Sequence, residues 1–212
     1  MKCKIFIVRH TESVGNIENR LTGRQDYEIT ERGNLLIDNL TQELKNIKFD
    51  EVYASMSGRA EKTVEKLAEL NGLEVEQDSR LCEMYFGIYD GWKWEEVNKI
   101  QPEIKETQIK TNEISGIPKQ ETMQEVSERM YNFIFKIAKQ SEGKTILIGS
   151  HGVAIEAFMR KVANVPFYLE RERFCQHNVA INELDFEDNQ FKILRLADIS
   201  YLQKYKTKEL QK

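Results

Sequence analysis

The 212-residue sequence is poor in cysteine, proline and histidine, with three of each. Cys3, Cys82 and Cys175 are odd in number and far apart, and no C-x-x-C pair occurs. That argues against a disulfide framework or a thiolate zinc site and for a reduced compartment. Cys82 has no histidine at motif spacing and reads as packing rather than as a nucleophile. No run approaches the length of a membrane span. The first apolar run is too short for a secretory signal and continues into a polar motif. Basic blocks and aromatic-interleaved patches are missing too, and 31 Lys plus Arg against 35 Asp plus Glu leave a net charge of −4. A nucleic-acid footprint is therefore not expected. The G-x-x-x-x-G-K-[ST] loop of P-loop NTPases is absent, as are internal repeats and low-complexity tracts. These absences leave a cytoplasmic globular chain, one domain or a domain with an insertion, with neither membrane nor nucleic-acid partner.

What is present begins with FIVRHTE. Ile5-Phe6-Ile7-Val8 is a short apolar run, and Arg9 and His10 follow it directly. Such a run, rich in β-branched residues, suits a strand covered on both faces, as in a parallel sheet between helices. Ligands of open α/β sheets collect beyond the carboxyl ends of the strands, where Arg9 and His10 fall. The same arrangement recurs later: Ile146-Leu147-Ile148, then Gly149-Ser150-His151-Gly152 and a helical pattern. One histidine at a strand end is more often structural than catalytic; two in matching positions carry more weight.

Between these strands the elements alternate. A polar loop is expected from Thr11 to Ile29. Thr30 reads as an N-cap, with Leu36, Leu40, Leu44 and Ile47 at helical spacing behind it. Glu51 to Ser55 is a second strand. Ser57 caps a helix with Val64, Leu67 and Ala68 on its buried face, and Leu73 to Gln77 is a third strand. Residues 78–121 read as a cap over the sheet, with a short helix from Lys93 to Ile100 and a polar, loop-like stretch after it. Thr122 and Glu125 form a capping box before a long helix bearing Val126, Met130, Phe133, Ile134 and Ile137. Val179–Phe186 and Phe191–Leu196 read as an edge hairpin, and the charged end KYKTKELQK as frayed. The expected fold is a three-layer α/β/α sandwich with a mostly parallel central sheet. It forms one domain over residues 1–212, with a cap insertion at about 78–121.

The polar groups expected at the carboxyl ends of the strands are Arg9 and His10, then Arg59 early in the second long helix, Glu83 after the third strand, and His151. Arginine suits bidentate recognition of phosphate, and helix N-termini add N–H donors. A neutral imidazole can attack phosphorus, and a carboxylic acid can protonate the leaving oxygen and later activate water. Leu81, Cys82, Met84 and Phe86 offer Glu83 the apolar setting that a general acid needs. The set suffices for metal-free phosphomonoester transfer. Ion pairs at the rim of the sheet are the structural alternative, only modestly less favoured on these residues alone.

At this point the chain resembles the histidine phosphatase superfamily, also called phosphoglycerate mutase-like, over about residues 4–185. Arg9-His10-Thr11-Glu12-Ser13 with Asn16 resembles its R-H-G-E-[TS] motif, and Thr22 to Asp26 its T-G-x-x-D. Ile29 to Gly33 resembles L-T-E-x-G. Tyr53 to Thr63 is similar to the segment that supplies the second arginine. Leu81 to Gly91 resembles L-x-E-x-x-x-G-x-x-E-G, Glu121-Thr122 the G-E-S before a helix, and Ser150-His151-Gly152 the late histidine motif. The resemblance implies His10 as the phosphorylated nucleophile, Arg9, Arg59 and His151 as phosphoryl ligands, and Glu83 as proton donor. It implies Ser13, Asn16, Thr22 and Gly23 as substrate-binding residues, and neither metal nor other cofactor. Thr11 in place of glycine, Asp90 in place of glutamate, and Lys119-Gln120 in place of a glycine pair depart from the pattern.

Three functions compete: a phosphatase of small phosphomonoesters, akin to the alpha-ribazole and broad-specificity phosphatases; a cofactor-dependent phosphoglycerate mutase; and a catalytically silent binding protein. The mutases carry a longer insertion with a pair of arginines, whereas residues 100–121 here hold Lys105, Lys110 and Lys119 and no arginine. Hydrolysis is therefore favoured, by a monomer or homodimer. His177, Asn178, Trp92 and Trp94 are expected to be structural, with Tyr85, Phe86 or Trp92 as candidates to line the site.

Overall fold

The structure, a computed structural model, describes residues 1–111, 114–169 and 171–205. The chain runs β1 (Cys3–Arg9), α1 (Val14–Ile17), α2 (Glu31–Leu44), β2 (Glu51–Ala54), α3 (Gly58–Leu70) and β3 (Val75–Gln77). Two 3₁₀ turns, Ser79–Leu81 and Gly87–Tyr89, lead to α4 (Trp94–Ile100) and α5 (Pro102–Thr111). Then follow α6 (Met123–Gln140), β4 (Thr145–Ser150), α7 (Gly152–Ala163), α8 (Arg171–Phe174), β5 (Ile181–Glu187) and β6 (Gln190–Asp198). A last 3₁₀ turn covers Ser200–Tyr205. Of the charged end, Lys204 and Tyr205 fall in that turn; the rest lies outside the described residues.

The six strands form one sheet in the order β3-β2-β4-β1-β5-β6. β1, β2, β3 and β4 pair in parallel, while β5 and β6 add an antiparallel edge. Helices cover both faces, as the apolar runs required. On one face Ile5, Ile7, Ile146 and Ile148 pack with α6 and α7 through Met130, Phe133, Ile134, Ile155 and Phe158. On the other, Phe6, Val8 and Leu147 pack with Leu36, Leu40, Val64 and Leu67 of α2 and α3. The fold is the expected α/β sandwich with a mostly parallel sheet. No helix among the described residues is long and apolar enough to cross a membrane.

Some boundaries differ from expectation. The loop from Thr11 to Ile29 holds the short α1. β3 starts at Val75 rather than Leu73, because Leu73 N–H donates back to Ala68 and closes α3 after Gly72 at φ +67°. β5 starts at Ile181 because Val179 turns at φ +54° and its N–H goes to the Arg9 carbonyl. The first half of the polar stretch after Ile100 is helical, while the described residues 114–120 are loop as expected. Pro102 opens α5 at the position where a missing N–H costs nothing, and Ile104 is the buried anchor.

Candidate active site

β1 and β4 are neighbours in register, Arg9 opposite Ser150, so their next residues, His10 and His151, emerge together. The His10 N–H donates to the Ser150 carbonyl at 2.8 Å, and the imidazole centroids are 5.1 Å apart. Both rings are buried. His10 Nδ1 lies 2.6 Å from the Thr11 carbonyl, which only accepts, so Nδ1 carries the proton and Nε2 the lone pair. His151 has the opposite tautomer. Arg59 Nη2 donates to its Nδ1 at 3.2 Å, so Nε2 carries the proton and donates to Ser55 Oγ at 2.6 Å. Burial, then the Arg59 and Arg9 cations, hold His10 well below its ordinary pKa. Burial, Arg59, His10 and Arg9 do the same to His151. Both rings are neutral near pH 7.

Arg9 ends β1, where its Nη1 donates to the Gln176 carbonyl at 2.5 Å. Burial lowers its pKa and the nearby Glu83 carboxylate opposes that. Arg59, on the first turn of α3, is 1 % exposed. Its Nη1 donates to Gln25 O and Asp26 Oδ1, and its Nη2 to the carbonyls of Thr22 and Gly23. The Nε–H groups of both arginines are buried and have no protein acceptor. A buried Arg59 and a part-buried Arg9, both close enough to act on the His10 ring and each with a buried unmatched donor, suit an oxyanion.

Glu83 sits between the two 3₁₀ turns. The expected apolar surround is only part of its setting. Leu81, Cys82 and Met84 are buried around it, but its carboxylate accepts three backbone N–H bonds. Met84 and Ala154 donate to Oε1 at 2.8 and 2.9 Å, and Val153 to Oε2 at 3.1 Å. The N-terminus of α7, expected to serve a phosphate, thus holds Glu83.

A cavity of about 410 Å³ opens beside these groups. Arg9, Asn16, Thr22, Glu83, Gly152 and Asn178 line one part; Leu21, Phe86, Trp94 and Ile114 give it an apolar wall. His10, Arg59 and His151 lie behind its surface and do not line it. Asn16 faces it as a donor, since its Oδ1 already accepts from Ser13 and Asn178. Ser13 is buried as the N-cap of α1 and orients Asn16 instead of meeting the cavity. Gly23 is not on the cavity surface either; a Cβ there would lie 2.6 Å from the Met84 carbonyl, so the close approach requires glycine. Thr11 turns its hydroxyl away, to the Gly33 carbonyl at 2.6 Å. Asp90 holds the N–H groups of Gly23 and Arg24 and so fixes the Thr22 turn.

Asn178 corrects an expectation. Its Nδ2 donates to the His10 carbonyl at 3.0 Å and to Asn16 Oδ1 at 3.2 Å, so it belongs to the site. His177 itself is exposed. Trp94 packs against the core as expected and also lines the cavity, while Trp92 and Tyr85 do not line it. Among the described residues no cluster of His, Cys, Asp and Glu could hold a metal.

Residues 5–199 match the sequence profile of the histidine phosphatase superfamily (branch 1). A curated relative from Cronobacter sakazakii, named probable phosphoglycerate mutase GpmB, is 28 % identical over 99 % of both chains. YhfR of Bacillus stearothermophilus superposes with a TM-score of 0.89 at 24 % identity, covering 94 % of this chain and 99 % of its own. The alpha-ribazole phosphatase of Shigella flexneri gives 0.80 at 22 % identity, covering 92 % and 96 %.

Proposed function

The chain belongs to the histidine phosphatase superfamily, and from that premise we propose that it is a metal-independent phosphomonoesterase of small phosphorylated metabolites, working through phosphohistidine at His10. The observation that carries this reading is the committed Nδ1 proton of His10. It leaves the Nε2 lone pair in the field of two guanidinium groups, Arg59 buried and Arg9 part-buried, whose Nε–H donors are unmatched. In the first step Nε2 attacks phosphorus and the P–O bond to the leaving alcohol breaks. Arg9 and Arg59 neutralise the phosphoryl oxygens, as a loose transition state requires, and Asn16 adds a donor. The leaving oxygen takes a proton from the Glu83 carboxyl. In the second step the Glu83 carboxylate takes a proton from water, the hydroxide bonds to phosphorus, and the N–P bond returns its electrons to Nε2. Inorganic phosphate and the acid form of Glu83 result. Thr22 faces the rest of the substrate, and Gly23 shapes that wall through its backbone.

The mutase alternative draws on the names of the curated relatives. Against it, the only cations among the described lining residues are Arg9 and Arg20. Arg20 is already tied to Glu18 and the Gly91 carbonyl, and Lys105, Lys110 and Lys119 do not line the cavity. A bisphosphate intermediate would find few anchors. The test is a panel of phosphomonoesters with EDTA present, including 3-phosphoglycerate with catalytic 2,3-bisphosphoglycerate. Inorganic phosphate from at least one ester, with acid-labile label on His10, is the expected result. Rapid formation of 2-phosphoglycerate with almost no free phosphate would establish the mutase instead.

A further inference from the structure

Glu121 stands in a family-like motif before α6, yet it does not line the cavity. Its side chain pairs with Arg129, one of the α6 residues between Met123 and Gln140, through Nε–Oε1 at 2.9 Å and Nη2–Oε2 at 3.1 Å. The rest of that guanidinium is spent on one short loop. Nη1 donates to the carbonyls of Arg80 and Cys82, both at 2.7 Å, and Nη2 to the carbonyl of Glu83 at 3.0 Å. Glu121 Oε2 accepts the Tyr85 N–H at 2.9 Å, and the Glu121 N–H donates to the Tyr85 carbonyl at 2.9 Å. One ion pair therefore grips the backbone on both sides of Glu83.

We propose that Glu121 and Arg129 form a strut that sets the position of the Glu83 carboxyl, and that both are positioning residues for proton transfer there. The inference rests on the reading of Glu83 as proton donor. Among the described residues the loop that carries Glu83 belongs to no strand and has only the isolated bridge Phe86–Gln120 and the Glu121 N–H to Tyr85 bond beside it, so the carbonyls of Arg80, Cys82 and Glu83 take a side-chain donor in a part-buried setting. A planar guanidinium supplies five N–H groups in a fixed fork; an ammonium has one point of attachment and cannot hold three carbonyls and a carboxylate together. Burial works against the Glu121 carboxylate, but Arg129, the Tyr85 N–H and Arg24 together outweigh it and keep the group below the ordinary carboxylate range. The strut is thus charged at neutral pH. Position matters because the Glu83 oxygens are already placed by the N–H groups of Val153 and Ala154, and a shift of about 1 Å can cost on the order of 100-fold in a catalysed step.

The experiment compares wild type with Arg129→Lys and Glu121→Gln on two substrates and by amide hydrogen exchange, with thermal unfolding as a fold check. For Arg129→Lys, kcat on glycerol 3-phosphate should fall about tenfold or more, because its alkoxide needs a proton. On p-nitrophenyl phosphate it should fall less than about threefold, because the phenolate leaves without one, and KM should hold. Exchange at Val153 and Ala154 should quicken while the rest of α7 keeps its protection, since only displacement of the Glu83 carboxylate reaches those two amides. Glu121→Gln should show the same pattern at smaller size, and it decides the matter should Arg129→Lys not fold. Equal losses on both substrates, or no loss on either, overturns the strut. If the wild type hydrolyses neither ester, the exchange arm decides the strut, with unchanged Val153 and Ala154 overturning it; the phosphatase reading falls only if no ester of the wider panel releases phosphate.

Discussion

β1 and β4 run side by side and each delivers a histidine one residue past its end, yet the two rings are built for different work. His10 spends one nitrogen on the Thr11 carbonyl. His151 spends both, accepting from Arg59 and donating to Ser55. Burial and the same arginines keep both neutral. Neutrality alone therefore does not make a nucleophile; an uncommitted lone pair does. The local cause is the residue after each histidine. Thr11 is pinned by its N–H to Thr63 and its hydroxyl to Gly33, which aims its carbonyl at His10. Gly152 opens a helix, so the His151 carbonyl is spent on the Ile155 N–H and the ring turns to Ser55.

Removing each ring tests that difference most strongly. His10→Ala should abolish acid-labile protein phosphate and lower kcat by about 10³-fold or more, the loss expected of a covalent nucleophile. His151→Ala should lower it by about 10²-fold, because it removes the acceptor that holds Arg59 Nη2 and a ligand displaced by about 1 Å costs that much, while labelled His10 still accumulates. Rapid quench with labelled substrate reads both. Label persisting in His10→Ala, or equal losses in both, breaks the assignment.

A finer cut removes only the partner that sets one tautomer. Ser55→Ala leaves the His151 Nε2–H buried without its acceptor at 2.6 Å, which costs about 1–3 kcal/mol. The alternative tautomer would point a proton at the Arg59 cation, so the ring cannot escape by flipping. The expected result is about a tenfold fall in kcat/KM, near 1.4 kcal/mol, with His10 labelling kept. Nitrogen NMR of the imidazoles should show an altered His151 signal and an unchanged His10. A change at His10 instead would mean that the two rings act as one unit.

How much of this was legible in the sequence follows from what each residue does with its neighbours. Ile5 to Val8 and Ile146 to Ile148 are buried on both faces, so the apolar runs announced their strands, and the residues just past them announced the site. α5 was not legible because Ile104 is its one buried residue; a single anchor makes no stripe. Arg129 and Asn178 were missed for a related reason. Arg129 looks like any polar residue on the outer face of an amphipathic helix, and nothing local says that its fork folds back onto the Arg80–Glu83 loop. Asn178 reaches His10 across a separation of 168 residues, through a turn that the positive φ of Val179 permits. Motifs locate groups at strand ends; they do not reveal which backbone donors those groups will take, as Glu83 on the α7 terminus shows.

The smallest expected effect concerns what the two histidines share. Each is held well below its ordinary pKa in the folded chain, first by burial and then by Arg59. Unfolded, each regains a pKa of about 6.5. Between that value and the depressed one, the unfolded chain binds a proton that the folded chain does not. Stability is therefore full above about pH 6.5 and declines as the pH drops, by up to about 1.4 kcal/mol per pH unit for each ring. Glu51 and Glu121, held below the ordinary carboxylate range, add losses in the same direction, but mainly below about pH 5. The window from pH 6.5 to 5.5 isolates the rings. Urea unfolding in phosphate-free buffer across that window should show the decline in wild type. His10→Gln and His151→Gln should each remove about half of it, whatever they do to absolute stability. Equal flattening by two substitutions with unequal catalytic losses is the outcome that separates burial, which the rings share, from hydrogen bonding, which they do not. A slope unchanged by either substitution would show that the rings are not the groups being titrated.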